Sequence, residues 1–457
     1  MQARQRVVIV GGGFAGLEAA KALTGHGFDI TIIDRENHHC FQPLLYQVAT
    51  AALSPAEIAW PIRSIFRSAR DVTVLMADVT GVDPEGRYVA AGARRIPYDK
   101  LILATGAGHS YFGHDDWAKH APGLKRIEDA TTIRRNILLG FERAELAEDA
   151  KERDALLTYT IIGGGPTGVE MAGAISEIAR KTLARDFRRV DPQTSRILLI
   201  EAGPRLLPAF PENLSDYTQR ALERMGVTVL TNTRVTGIDA SGVDTSTGRI
   251  ESGTRIWAAG VGASPAASWI GTDADRAGRA AVTPWLKAPA HDDVFIIGDT
   301  AAMKDARGQP VPGIAPAAKQ MGRYVANVIK AERGGRTVEP FVYKHSGDLA
   351  TIGRKAAVVK LGRFELTGFV GWLVWSLAHV YFLIGLRNRL LVALSWLLTY
   401  ATFQRGARLV TREPRVGGRA ATDRQAGSPG EAFLPARSNS QPPSSMAAPQ
   451  SRNPMSQ

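Results

Sequence analysis

Val7 to Val10 are four consecutive apolar residues, the pattern of a strand buried on both faces of a parallel sheet. Leu17 to Leu23 then predicts a helix, and Ile30 to Ile33 a second strand that ends in Asp34. Between the first strand and the helix stand Gly11, Gly13 and Gly16 at G-x-G-x-x-G spacing. The glycines alone are a weak signal. Strand, glycines, helix, strand and closing acid together are the fingerprint of a dinucleotide-binding βαβ unit. The first glycine permits a tight turn, the second lets backbone approach a pyrophosphate, and the third lets helix and strand pack closely. The pyrophosphate would rest on the helix N-terminus, where free N–H groups favour an anion. Asp34 stands where the ribose-binding acid is expected.

The same series returns later. Tyr159 to Ile162 predicts a strand, Gly163, Gly165 and Gly168 repeat the spacing, and Ile197 to Ile200 predicts a strand closed by Glu201. The acid comes later here because a basic, helical-looking extension, Ile178 to Ser195, intervenes. Further strands are predicted at Val72 to Val82, Tyr98 to Ala104, Val227 to Leu230, Thr233 to Ile238, Arg255 to Trp257 and Val294 to Ile297. Two of them run into Ala104, Thr105 and Gly106, and into Gly298 and Asp299. Ligands bind at such carboxyl ends in open α/β sheets. The stretch after Asp34 predicts a structured loop with short helices. Ile127 to Leu156 predicts one or two charged helices with a solvated face.

The expected fold is therefore α/β, with two Rossmann-like, doubly wound domains. The second is inserted in the first, because the strand before Asp299 returns to the first sheet. This organisation resembles that of two-dinucleotide-binding flavoproteins, which implies FAD in one unit and a nicotinamide nucleotide in the other. The expected boundaries are 1–125 and 290–346 for the FAD domain, 126–157 for a helical connector and 158–289 for the NADH domain. Residues 347–410 form a membrane-association segment and 411–457 a disordered tail.

That segment contains FVGWLVWSLAHVYFLIGL, Phe369 to Leu386, about long enough to span a bilayer. Trp and Tyr are spread through it and the following stretch, with Arg387, Arg389, Arg405 and Arg408 between and after. This suits helices lying in the interface, apolar side down. A spanning hairpin, or helices covering the protein's own core or a partner, are the alternatives. From Thr411 onward the chain is too poor in large apolar residues to fold.

The 457 residues carry a formal net charge of +12, yet no nucleic-acid motif or lysine-rich block accompanies it. An anionic membrane surface, or solubility alone, fits the charge. The single cysteine, Cys40, excludes intramolecular disulfides, Cys-x-x-Cys pairs, thiolate-bound clusters and Cys-rich zinc sites. No metal site is expected. MQARQR leads straight into a strand, which leaves no room for a signal peptide.

The motifs GGGFAGLEAA at 11–20, FQPLLYQVAT at 41–50, IIGGGPTGVEMAG at 161–173, EAGPRLLP at 201–208, FIIGDTA at 295–301 and IGLRNRLLV at 384–392 resemble type II NADH dehydrogenases. These are single-subunit NADH:quinone oxidoreductases that pump no protons. The resemblance implies non-covalent FAD, NADH as donor, and ubiquinone or menaquinone as acceptor. It also implies peripheral attachment at the cytoplasmic face of the inner membrane, and a homodimer. It assigns FAD to Gly11, Gly13, Gly16, Asp34, Ala104, Thr105, Gly106, Gly298 and Asp299. Gly163, Gly165, Gly168 and Glu201 would take NADH. Glu170 would lie near nicotinamide and flavin, although a carboxylate in a first helical turn is also favoured by the dipole alone. Asp299 would hold the ribityl chain, or cap a helix. Many relatives carry two glutamines beside the quinone. Here the first is Pro316, which leaves Lys319 and Gln320 as candidates for proton delivery. Two rivals stand: a soluble single-cysteine NADH peroxidase or oxidase using Cys40, and a slow-turnover NADH-binding sensor.

Overall fold

The computed structural model describes residues 4–305, 307–402 and 407–410. The tail expected to be disordered, and Arg405, lie outside the described residues. Strand β1 (Gln5–Val10) leads through the glycine loop into helix α1 (Phe14–Leu23) and strand β2 (Phe28–Asp34). The following loop holds short helices, as expected, including α2 (Leu45–Ala49). Strands β3 (Val72–Met76) and β4 (Lys100–Leu103) extend the sheet. The single strand expected over Val72 to Val82 is two. Its second half, Val79–Asp83, turns away and pairs with the hairpin Tyr88–Ala91.

The unbroken apolar run of β1 has a direct physical cause. Val7 and Ile9 enter one core with α1, while Val8 and Val10 enter another on the opposite face. A strand covered on both sides has no polar side to show.

Helix α3 (Ile127–Leu146) and the helix Ala150–Leu156 are the two charged helices expected there, but α3 is more than a solvated face. Ile133, Ile137 and Phe141 are buried on it. Strand β5 (Thr158–Ile162), helix α4 (Pro166–Glu177) and strands β6 (Arg196–Ile200), β7 (Val227–Leu230) and β8 (Thr254–Trp257) form the second unit. They make a parallel sheet in the order β7-β6-β5-β8. The expected helical extension at Ile178 to Ser195 is mostly not helical. A π-type turn, Ile178–Thr182, and a short 3-10 turn, Pro192–Thr194, bracket an irregular loop. Glu145 accepts the backbone N–H groups of Arg188, Arg189 and Val190 at 3.0 Å, and this replaces helical pairing there.

Strand β9 (His291–Ile296) then pairs in parallel with β4, so the chain does return to the first sheet. That sheet runs β9-β4-β1-β2-β3, with a short antiparallel strand, Lys287–Ala288, outside β9. Helix α5 (Ala315–Arg333) crosses α1 closely: a Cβ on Gly322 would lie 2.3 Å from the Ala15 carbonyl oxygen.

The hydrophobic pattern does not predict the antiparallel sheet that precedes the aromatic helices. Its strands are β10 (Asp348–Gly353), β11 (Ala356–Leu361) and β12 (Phe364–Thr367). Strand β10 lies on α4, where a Cβ on Gly173 would meet the Ile352 carbonyl oxygen at 1.7 Å. The long apolar stretch then divides into α6 (Gly368–Phe382) and α7 (Leu386–Thr402). Gly385, at φ +82°, makes the bend, and the Arg389 guanidinium donates to the Leu383 carbonyl at 2.9 Å. Among the described residues no helix is long and apolar enough to cross a membrane.

Candidate functional site

The two glycine loops are built alike. Gly11 has φ +107° and Gly163 φ +113°, a region that L side chains rarely enter. A Cβ on Gly16 would lie 1.9 Å from the Gly11 carbonyl oxygen, and one on Gly168 would lie 1.8 Å from that of Gly163. Gly13 and Gly165 face open space. That is the clearance a pyrophosphate needs at the start of each helix. The closing acids also repeat. Asp34 accepts the backbone N–H groups of Gly12 and Glu36, and Glu201 accepts those of Gly164 and Gly203. Each carboxylate oxygen thus holds one loop N–H and keeps a lone pair for a ribose hydroxyl. The longer sequence spacing before Glu201 has no consequence in space.

A cavity of about 1170 Å³ begins at the first loop and extends to the aromatic helices. Gly11, Gly13, Asp34, Ala104, Thr105, Gly106, Gly298 and Asp299 line it, together with Glu170 and Lys319. Gly16 lies beneath the loop. Gly163, Gly165, Gly168 and Glu201 lie outside the cavity wall, while Pro166 and Thr167 of the same helix start form part of it. The first glycine loop therefore opens into the cavity, and the second lies at its margin.

Thr105 joins the halves through its hydroxyl, which lies 2.5 Å from Ser264 Oγ and 3.2 Å from Thr300 Oγ1. Nearby, Ala107–His109 pairs antiparallel with Val261–Ala263. These cross-links had no signature in the sequence, because their partners lie far apart along it.

Glu170 is the fifth residue of α4, one turn later than the sequence suggests, and it keeps its remaining exposure inside the cavity. Burial pushes its carboxyl well above the usual carboxylate range, against the opposing pull of the Thr351 backbone N–H. Desolvation, and not the helix dipole, therefore sets the direction of the shift. Strand β10 supplies that cover, so the unpredicted sheet shapes this acid.

Lys319 Nζ lies 5.6 Å from the Phe14 ring centre and 5.0 Å from that of Phe382. Burial lowers its pKa, and Lys21, Arg323 and Arg389 push the same way against Glu18. Gln320 is placed differently from its expected role. Its amide donates to the Lys344 carbonyl at 2.8 Å and accepts the Lys344 N–H at 3.0 Å, and it does not line the cavity. One residue of helix rotates a side chain by about 100°, enough to turn Gln320 away while Lys319 faces in.

His379 lines the cavity, although no motif marks it as a site residue. It stacks on Trp375 at 4.0 Å, and its Nδ1 lies 2.8 Å from the Trp375 carbonyl oxygen. Burial lowers its pKa to about 4, so the ring is neutral at pH 7 and Nδ1–H is the donor. Cys40 also reaches the cavity, but burial, with Glu128 adding to it, pushes its thiol up to about 12. It is a thiol rather than a thiolate at neutral pH, which removes the nucleophile that the peroxidase-like rival needs.

Two dinucleotide loops, one opening into the cavity and one at its margin, meet across a space that holds a buried carboxyl and no cysteine pair. This defines a flavoprotein of the pyridine-nucleotide oxidoreductase class. Residues 5–322 match the family described as pyridine nucleotide-disulphide oxidoreductase, and residues 345–405 match the NDH2 C-terminal domain. A type II NADH:quinone oxidoreductase of Mycobacterium tuberculosis is 43% identical over 89% of this chain and 90% of that protein. An internal alternative NAD(P)H-ubiquinone oxidoreductase of Arabidopsis thaliana is 31% identical over 87% of this chain and 84% of its own length. The fold matches that of NDH2 from Plasmodium falciparum, solved in complex with NADH, with TM-score 0.82 and 21% identity. That match covers 90% of this chain and all of the other. The chain belongs to the type II NADH:quinone oxidoreductases, and its cofactors are FAD and NADH.

Proposed function

We propose that Gly11, Gly13, Asp34, Thr105 and Asp299 hold FAD, with Gly16 shaping their loop. Gly163, Gly165, Gly168 and Glu201 hold NADH, and Glu170 with Lys319 serves the reaction between flavin and quinone. The observation that carries this reading is one cavity joining the first glycine loop, Glu170 and the aromatic helix α6. FAD, when bound, supplies a carrier that accepts a hydride from NADH and returns two electrons to a quinone. The protein's own share is to orient both ligands and to manage protons. Glu170 presents a carboxyl whose hold on its proton is strengthened by burial. Lys319, an ammonium of lowered pKa between two rings, is the donor toward the quinone. His379 presents a neutral ring to the same space. Gln320 holds the Lys344 segment in place. Lys319→Met should lower quinone-dependent turnover roughly tenfold, with water as the substitute donor. FAD content should not change. Unaltered turnover would remove Lys319 from the proton path.

NADH is the preferred donor in this reading. Glu201 repels a 2′-phosphate. Arg205 offers no compensation, because its guanidinium donates to the carbonyls of Phe210 and Pro208 and to Ser215 Oγ, at 2.8, 3.0 and 3.3 Å. Like charges brought together cost several kcal/mol, so kcat/KM for NADPH should be at least about 100-fold lower. Steady-state rates with both nucleotides test this, and comparable values would overturn it.

Helices α6 and α7 are read as the membrane-facing element, at the cytoplasmic face. Phe369, Val370, Leu377, Tyr381, Leu386 and Leu390 are exposed, while Trp375 and Trp396 are buried and stacked at 5.5 Å. The exposed side is too apolar for a solvated surface. Trp396 Nε1 donates to Gln47 at 2.7 Å and Ser395 to Glu57 at 2.6 Å, which ties α7 to the FAD-side loop. A lipid-soluble ubiquinone or menaquinone would then enter between this face and Phe382. The family also suggests a homodimer, which sedimentation of the purified chain tests. For the whole reading, anaerobic NADH should bleach the yellow protein and added quinone should restore the colour. Bleaching without recovery would favour a slow-turnover sensor instead.

A further inference from the structure

The Ile178 to Ser195 loop takes no part in the cavity, yet it is firmly built. Phe187 stacks on Phe141 at 5.9 Å, and three backbone N–H groups converge on the Glu145 carboxylate. The Arg188 guanidinium folds back onto the carbonyls of Arg185 and Phe187, at 2.9 and 3.4 Å. Arg185 and Arg189 are left exposed. The loop carries five basic side chains against two acidic ones.

Its position relates it to the aromatic helices. Asp186, between the two exposed arginines, forms an ion pair with Arg408, six residues beyond Thr402 at the end of α7. Leu409 and Val410, next to Arg408, are exposed apolar residues. At the opposite end of α7 stands exposed Arg387. The 17 residues of α7 place its two ends ~25 Å apart. Cationic groups therefore bracket the exposed apolar side, one at the helix start and a cluster reached from its end.

We propose that this loop is a second membrane contact, in which Arg185 and Arg189 bind anionic lipid headgroups while α6 and α7 lie in the interface. The proposal rests on the reading of α6 and α7 as membrane-facing. Continuity with exposed leucines favours lipid over nucleic acid, which has no use for such a border. The loop selects for headgroup charge and, together with Arg387, sets how the cavity mouth is presented to the bilayer.

Vesicle flotation of the full, FAD-loaded chain tests this, with phosphatidylcholine alone and with phosphatidylcholine containing phosphatidylglycerol. The unaltered chain should bind both, the anionic vesicles more tightly, and the excess should vanish at high salt. An arginine near an anionic surface is worth about fivefold in partitioning, so Arg185→Gln with Arg189→Gln should cost roughly 25-fold on anionic vesicles. Binding to neutral vesicles and turnover with a water-soluble quinone should stay unchanged. Asp186→Asn should strengthen anionic binding. Equal binding of double variant and unaltered chain to anionic vesicles, or an equal loss on neutral ones, would overturn the proposal. An unaltered chain that floats with neither kind of vesicle would instead overturn the membrane reading of α6 and α7.

Discussion

Gly16→Ala is expected to yield a colourless protein, and Gly168→Ala a yellow one that NADH no longer bleaches. The two substitutions add the same methyl group at equivalent places. In the first loop the new Cβ would lie 1.9 Å from the Gly11 carbonyl oxygen, and in the second 1.8 Å from that of Gly163. The obstacle in both is backbone, so strand and helix must separate. Overpacking of this kind costs about 1–3 kcal/mol or more, which lowers affinity by roughly 10- to 100-fold at the ligand that needs the loop. In the proposed reading the first loop serves FAD and the second NADH. Flavin absorbance and anaerobic NADH titration separate the two losses. A Gly168→Ala protein that also lacks flavin would contradict the division of labour between the loops.

Glu170→Gln should lower turnover by roughly 100-fold or more, the span typical for losing a positioned acid or base. FAD content should be kept. Unfolding is not the reason for the lower rate. The folded protein holds the Glu170 proton to higher pH than the unfolded chain does, because burial raises this carboxyl. Between the two values the native state binds more protons, so stability falls as pH rises through that window. Glutamine has no such proton to lose. The variant's melting temperature should therefore equal or exceed that of the unaltered protein, and the gap should widen with pH. A variant that turns over at the normal rate would leave Glu170 no part in the reaction.

Much of this was legible in the residues. The two fingerprints, both closing acids and the return of the chain at Asp299 depend on local rules: glycine clearance, helix N-termini and apolar runs. Those rules act over a few neighbours, so the sequence displays them. The aromatic helices were equally visible, since a surface so apolar has few other uses.

Other features were not. The β10 to β12 sheet is short, and its alternation is overshadowed by the longer apolar stretch behind it. The Ile178 to Ser195 loop has helical composition, but Glu145, in a distant helix, captures its backbone N–H groups. Gln320 sits in a motif that suggests a site residue, and the fold pairs it with Lys344 instead. His379 belongs to no motif and is simply the one histidine of an apolar segment.

By itself, then, the sequence determined that two nucleotide units exist, which acids close them, and that no cysteine pair can share electrons. Tertiary structure alone decided which side chains meet. It set one loop into the cavity and the other at its margin, and it packed β10 on α4 so that burial raises the pKa of the Glu170 carboxyl. It also set Lys319 between two rings and tied Asp186 to Arg408. Desolvation and long-range pairing are sums over neighbours distant in the chain, and no local pattern of residues records them.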